Sequence, residues 1–417
     1  MNLFTPVGGL GGTHVTWEDI EEDLQRELNT VATFGPNKTF KTVGDGRGFL
    51  SRVLLIDPDW QHKDMELPEK FIVKIASQLA MLELTGEFAK KGDIEDSFSK
   101  PEFMAALEYQ QKKLHNNEVI LYEHLKRIPE GKLPMIKIFS TKKFSEHNPV
   151  KGYIVMEFVE DLVPLHVFNN VPPHSLRKAL RAKAVLEAMS LDFSEEEKNE
   201  FLTNVYSELF GAIFKKEMFA DMVKIFQNFA SGKMADKATK MGKLLPEIVD
   251  LPWADRLADE MGMERVLCHG DLWSTNMLWK QNGGELDVVA LIDYQTAHMG
   301  CPAVDLVRLF SACLSGKDRQ EHWEELVEEF YGYLKEEVGN KEMPYTLQQI
   351  KEAYLRFMPL GIFMIVTGIG PLYDVLCKNP NEEQRQKGLD LVVEKTECLL
   401  DDVFFYHERN KNLTKHT

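Results

Sequence analysis

Along the first forty residues, apolar positions fall at helical spacing once. Ile20, Leu24 and Leu28 lie four apart, and Thr16 stands where a hydroxyl caps a first turn, so a helix is predicted there. The earlier Gly8-Gly9-Leu10-Gly11-Gly12 has no strand before it and reads as a flexible lead-in rather than a phosphate loop. From Thr39 the pattern changes to short runs of strand length. Thr39 to Val43 and Phe49 to Ile56 flank a glycine turn, and Phe71-Ile72-Val73-Lys74-Ile75 is a third apolar run. A helical region ending in Asn117 to Arg127 comes next, followed by strand-like runs at Met135 to Phe139 and Tyr153 to Phe158. Beyond Pro172 the chain is mostly helical. The exception is a β patch, Met277-Leu278-Trp279 and Val288-Val289-Ala290-Leu291-Ile292, joined through Gly283-Gly284. Thr346 with Gln349 makes a capping-box pattern ahead of Ile350, Tyr354 and Phe357.

This order predicts an α+β chain with a helical lead-in over residues 1–38, a β-rich lobe over 39–158 and a mainly helical lobe over 159–417. The length, 417 residues, supports more than one core. From Phe357 to Tyr373 there is no charged residue, and the stretch is at the lower limit for a membrane span. Pro359, Gly361, Gly368, Gly370 and Pro371 interrupt it, so a buried core helix is expected and no membrane. Trp323, Tyr331, Tyr333 and Tyr354 at helical spacing are core residues by default, although they could wall a pocket.

Composition narrows the partners. Asp plus Glu is 66 against 49 for Lys plus Arg, a net charge of -17, which argues against nucleic acid and anionic membranes. Five cysteines without a close C-x-x-C pair argue against a disulfide framework and a zinc site. They read as reduced thiols, and no basic segment leads into an apolar run at the start, so a cytoplasmic protein is expected. The sequence carries no signature of an oligomeric state.

The chemistry concentrates in Val266-Leu267-Cys268-His269-Gly270-Asp271-Leu272-Trp273-Ser274-Thr275-Asn276 and in Leu291-Ile292-Asp293-Tyr294-Gln295. Any one of these Asp or Asn residues alone would be read as turn punctuation. Together they place a carboxylate, an amide five positions later, and a second carboxylate at the end of an apolar strand. Phosphoryl transfer needs that set. One carboxylate accepts the hydroxyl proton, and a carboxylate with an amide oxygen holds magnesium against phosphates. Asp271 is the candidate base, Asn276 and Asp293 the candidate magnesium ligands, and His269 a brace for the loop backbone.

The first lobe offers a nucleotide partner for this loop, ATP. Gly44, Gly46 and Gly48 would let backbone N–H groups approach phosphates, although an ordinary glycine hairpin reads the same way. Lys74 interrupts an apolar strand and either faces solvent or meets a buried anion, here the α- and β-phosphates. Its expected carboxylate partner is Glu118, with Glu123 as the other candidate. The run from Tyr153 through Glu157 to Val159 would be the inter-lobe strand whose backbone meets adenine, and is equally a plain core strand.

His269-Gly270-Asp271-Leu272-Trp273-Ser274-Thr275-Asn276 and Leu291-Ile292-Asp293-Tyr294-Gln295 resemble the choline kinase and aminoglycoside phosphotransferase superfamily. The resemblance is greatest to its CHK kinase-like branch, which holds ecdysteroid kinase-like proteins and a large nematode set. It extends to His115-Asn116-Asn117-Glu118 and Pro302-Ala303-Val304-Asp305-Leu306. It implies a two-lobed protein-kinase-like fold, β-rich N-lobe and mainly helical C-lobe, and transfer from ATP with magnesium to a hydroxyl of a small molecule. Steroid, glucoside and choline-like acceptors all stay open. It further implies that Asp305 organises the catalytic loop. Gly270 stands where protein kinases carry Arg, and the interval from Asp293 to Asp305 is short, so a protein substrate and a phosphate switch are not expected. The rival readings are a pseudokinase scaffold and a choline or ethanolamine kinase proper.

Overall fold

A computed structural model describes residues 1–44, 50–83, 101–211, 219–376 and 381–414. It divides into two compact units, one of Met1–Arg127 with Met135–Asp161, the other of Ile128–Pro134 with Leu162–Thr417.

In the first unit, strands β1 (Thr39–Thr42), β2 (Ser51–Asp57), β3 (Phe71–Ala76), β4 (Ile138–Lys142) and β5 (Tyr153–Glu157) build one sheet. Its order is β1-β2-β3-β5-β4, with every neighbouring pair antiparallel. Side chains alternate across a strand, so Phe71, Val73 and Ile75 share one face. There they are buried with Leu54, Ile56, Tyr153 and Val155, and with Ile20 and Leu24 of helix α1 (Trp17–Leu28). The same alternation sends Lys74 to the other face. Helix α1 begins in a reciprocal cap: Asp19 N–H donates to the Thr16 hydroxyl, and Thr16 N–H donates to the Asp19 carboxylate at 2.8 Å. Helix α2 (Pro101–Leu125) completes the unit.

Two expectations are corrected here. Residues 8–12 are not a loose lead-in. Leu10 N–H donates to Val15 O at 2.7 Å, Gly9 N–H to Thr13 O at 3.0 Å, and Leu10 is buried in the core with α1. A Cβ at Gly9 would meet those two carbonyl oxygens at 2.3 and 2.5 Å, so glycine permits the close approach. Strand β4 begins at Ile138 rather than at Met135, and a bulge follows it between Ile138 and Ser140. Apolar character alone does not say which residues pair.

The second unit is mainly helical. Its helices are α3 (Arg177–Ser190), α4 (Glu195–Lys198), α5 (Phe219–Asn228), α6 (Ala235–Ile248), α7 (Leu251–Glu260), α8 (Ala303–Cys313), α9 (Gly316–Val338), α10 (Leu347–Leu376) and α11 (Glu382–Thr414). Two small antiparallel pairs sit among them: β6 (Val266–Cys268) with β9 (His298–Gly300), and the hairpin β7 (Met277–Asn282) with β8 (Glu285–Leu291). The hairpin turns at Gly283 and Gly284, φ 60° and 95°, the left-handed pair that a two-residue turn demands. In α8 every residue except Arg308 is buried. Thr346 and Gln349 exchange the expected capping bonds at the start of α10. Tyr354 is buried and stacks on Trp323 at 5.2 Å, a core contact. No helix of the described residues is long and apolar enough to cross a membrane. An antiparallel sheet followed by a mainly helical region is the architecture that the order of patterns predicted.

Candidate active site

Strand β6 ends at Cys268, and the chain turns immediately into the loop that carries Asp271. Two backbone groups fix the turn. His269 N–H and Gly270 N–H each donate at 2.8 Å to the carboxylate of Asp305, on α8. Asp305 is buried, and a buried charge needs compensation. Lys183 of α3 supplies it, with Nζ 3.2 Å from Asp305 Oδ2 and 2.5 Å from Glu187 Oε1. The Tyr345 hydroxyl donates to the other oxygen of Glu187. Burial opposes charge on Asp305, but Lys183 and the two N–H donors outweigh it and hold the carboxyl below its usual range. Burial dominates at Glu187 and raises its pKa. Burial also works against the Lys183 charge, yet Glu187 and Asp305 together push its pKa up.

His269 braces the loop from inside. Its Nε2 lies 3.1 Å from the Ile292 carbonyl, and its Nδ1 accepts from Asp271 N–H at 3.3 Å. Those partners assign the proton to Nε2, and burial lowers the ring's pKa, which keeps it neutral. Gly270 has φ +80°, and a Cβ there would meet the Thr296 carbonyl oxygen at 2.2 Å. Glycine at this position is therefore demanded sterically.

The loop then brings the candidate residues together. Asn276 Nδ2 donates to Asp271 Oδ2 at 2.8 Å and to the Asp271 carbonyl at 2.9 Å. Asn276 is also tied through its own carbonyl, which accepts from Ile292 N–H at 3.0 Å. Asp293 is the next residue, so the hairpin delivers it beside Asn276, with φ 64°. Because the amide nitrogen of Asn276 is committed to Asp271, its oxygen is the atom left for a cation. Among the described residues no group of three or more His, Cys, Asp or Glu could hold a metal unaided. Magnesium is commonly held by one or two protein oxygens, with phosphates and water filling the rest, and Asn276 with Asp293 fits that pattern.

Sequence reasoning missed Arg308. Its guanidinium forms an ion pair with Asp271 Oδ1 and lies 4.3 Å from the Trp273 ring centroid. The signal was available: Arg308 stands one helical turn after Asp305 and so shares its face. Lys183 and Glu187 were missed too. Nothing local marks a partner 122 residues away.

In the first unit, Lys74 Nζ lies 2.7 Å from Glu118 Oε2 on α2, and Glu118 is 1% exposed. Glu123 pairs instead with Lys126 at 2.6 Å. Gly44 has φ 79°, while Gly46 and Gly48 lie outside the described residues. Glu157 closes β5, accepts from Lys137 N–H at 3.1 Å and lines a cavity of about 530 Å³ with Lys70, Lys137, Phe139 and Phe158. Val159 is half-buried just after it.

Known proteins resemble the chain at several levels. "Uncharacterized oxidoreductase dhs-27" of Caenorhabditis elegans is 22% identical over 248 residues, 58% of this chain and 29% of that protein. "Uncharacterized kinase-like protein D1044.1" of the same organism is 28% identical over 101 residues, 24% of this chain and 26% of that protein. The matches thus span under a third of each relative's length. Among solved structures, a microcompartment-associated aminopropanol kinase has 12% sequence identity and a TM-score of 0.46, covering 92% of this chain and 99% of its own. Residues 3–411 match the model of the family DUF1679, described as "Uncharacterized oxidoreductase dhs-27", and the chain belongs to that family.

Proposed function

We propose that this chain is an ATP- and magnesium-dependent phosphotransferase that acts on a hydroxyl of a small molecule. The observation that carries this reading is the convergence in the second unit. Asp271 and Asn276 are joined side chain to side chain, and the Ile292–Asn276 backbone bond sets Asp293 one residue beyond the partner of Asn276. In this reading Asp271 accepts the acceptor's proton and aims its oxygen, which attacks the terminal phosphorus as the bond to the β–γ bridging oxygen breaks and ADP leaves. Bound magnesium would neutralise charge on the nucleotide phosphates, and Asn276 and Asp293 would hold it. His269 and Asp305 keep the loop backbone in register. Lys74, steadied by Glu118, is assigned to the α- and β-phosphates, the Gly44 turn to phosphate as well, and the backbone from Glu157 to Val159 to adenine. A Rossmann-type oxidoreductase needs a parallel sheet, whereas every named strand pair among the described residues is antiparallel, which favours the phosphotransferase reading. The free cysteines at 268, 301, 313 and 398 support a reducing compartment, and we place the protein in the cytoplasm.

One observation favours a second reading, a nucleotide-binding scaffold without turnover: Arg308 and Asn276 between them engage both oxygens of Asp271. Labelled ATP separates the two. The full chain is incubated with magnesium and either a small-molecule extract or a mixture of proteins. Label in the metabolite fraction supports the phosphotransferase. Magnesium-dependent ATP binding with no label in either fraction supports the scaffold, and label confined to protein overturns the small-molecule reading.

A further inference from the structure

The Arg308 contact bears on what the acceptor is. Both oxygens of the candidate base are engaged, Oδ2 by the amide of Asn276 and Oδ1 by the guanidinium of Arg308. Asn276 belongs to the loop itself. Arg308 comes from α8, where every other residue is buried, and its side chain is 16% exposed beside an Asp271 side chain that is 18% exposed. The guanidinium is held over the Trp273 ring, and its Nε is buried without a hydrogen-bond partner among the described residues, so the terminal nitrogens are the part of the group that faces the carboxylate. Any hydroxyl that hands its proton to Asp271 must come within hydrogen-bond reach of the carboxylate. It then lies a few ångströms from the guanidinium of Arg308.

We infer that Arg308 is a specificity-determining residue that excludes cationic alcohols, amino alcohols and quaternary ammonium alcohols included, and selects a neutral or anionic acceptor. The inference rests on the phosphotransferase reading and narrows it. Two positive charges 4–5 Å apart near a protein surface repel strongly at an effective dielectric of about 20. That repulsion disfavours an acceptor whose ammonium lies close to its hydroxyl. A carboxylate, sulfate or phosphate on the acceptor would instead engage the guanidinium and draw it from Oδ1, freeing the base as the substrate binds. A neutral polyol or glycoside meets the guanidinium without an ionic penalty.

The test fractionates the acceptor pool by charge. A small-molecule extract is passed over a cation exchanger at neutral pH, and the retained and unretained pools are each incubated with labelled ATP, magnesium and the full chain. Label is expected in products of the unretained pool, at least tenfold above the retained pool. Arg308→Gln should narrow that ratio at least tenfold, and Arg308→Lys should preserve it, because the charge is kept. Label confined to the retained pool, or equal in both, overturns the inference and leaves the phosphotransferase reading standing. So does an Arg308→Gln protein that folds and keeps the wild-type ratio. If Arg308→Gln fails to fold, the wild-type ratio alone decides. No label in either pool overturns the phosphotransferase reading and this inference with it.

Discussion

Asp271 is the residue on which the proposed chemistry turns. Asp271→Asn keeps the shape and the capacity to meet Asn276, but its amide cannot take a proton. Turnover should fall by about 10²–10⁴, the contribution typical of a general base, with magnesium-dependent ATP binding retained in calorimetry. Near-full activity in that variant would remove Asp271 from the role. Asp293→Ala deletes the charged candidate ligand. ATP affinity in magnesium should drop to the level measured with a chelator, and an unchanged metal dependence would sink the assignment. Gly270 makes a purely steric claim. With φ +80° and the Thr296 carbonyl oxygen 2.2 Å from where a Cβ would sit, Gly270→Ala should cost on the order of 1–3 kcal/mol in urea unfolding. At this scale the sequence was informative, since the Asp-Asn-Asp spacing is local. It preferred Glu118 over Glu123 as the partner of Lys74 without being able to exclude the second, because helix phase relative to a strand is a tertiary quantity.

At the scale of elements, the loop after β6 is held by two helices. Helix α8 presents Asp305 to the backbone of His269 and Gly270, and α3 presents Lys183 to Asp305 and Glu187. Removing the cation leaves two buried carboxyl groups without their counter-charge. Lys183→Met should therefore destabilise the protein by about 3–5 kcal/mol, the usual result of breaking a buried ion pair by deleting one partner. Chemical denaturation measures it, and a change under about 1 kcal/mol would mean that the triad contributes little to stability. Capping signals read from the sequence survive at this scale, as Thr16 with Asp19 and Thr346 with Gln349 show, because caps involve neighbours in the chain. The β6–β9 pair was not legible. Three-residue strands carry too little pattern, and their partners lie some thirty residues apart.

Across the whole molecule, buried histidines contribute to the response to acid above the carboxylate range. His115 is buried with its Nε2 2.8 Å from the Lys142 carbonyl, and burial pulls its pKa from 6.5 down to about 4. Burial lowers His269 and His298 as well. Above pH 6.5 the His115 ring is neutral in folded and unfolded chain alike. Between 6.5 and 4 the unfolded chain takes up a proton that the folded chain refuses, so stability falls as pH falls through that window. His115 alone should cost about 3 kcal/mol by the lower end, at about 1.4 kcal/mol per pH unit. Thermal or urea unfolding from pH 7.5 to 4 reads the slope, and His115→Gln should flatten it. An identical slope in that variant would remove His115 from the acid response.

The sequence by itself determined what depends on neighbours along the chain. That includes helix caps, the Gly283-Gly284 hairpin, the order of a β-rich region before a helical one, and the spacing that puts an Asp, an Asn and a second Asp in one loop and hairpin. Tertiary structure alone decided which distant groups meet. It paired Asp271 with Arg308, brought Lys183 to Asp305, and packed Leu10 into the core where a loose segment was expected. The reason is physical. Local signals arise from backbone hydrogen bonds and side-chain periodicity within a few residues, whereas a buried charge finds its partner through the packing of whole helices, and no spacing rule along the chain encodes that distance.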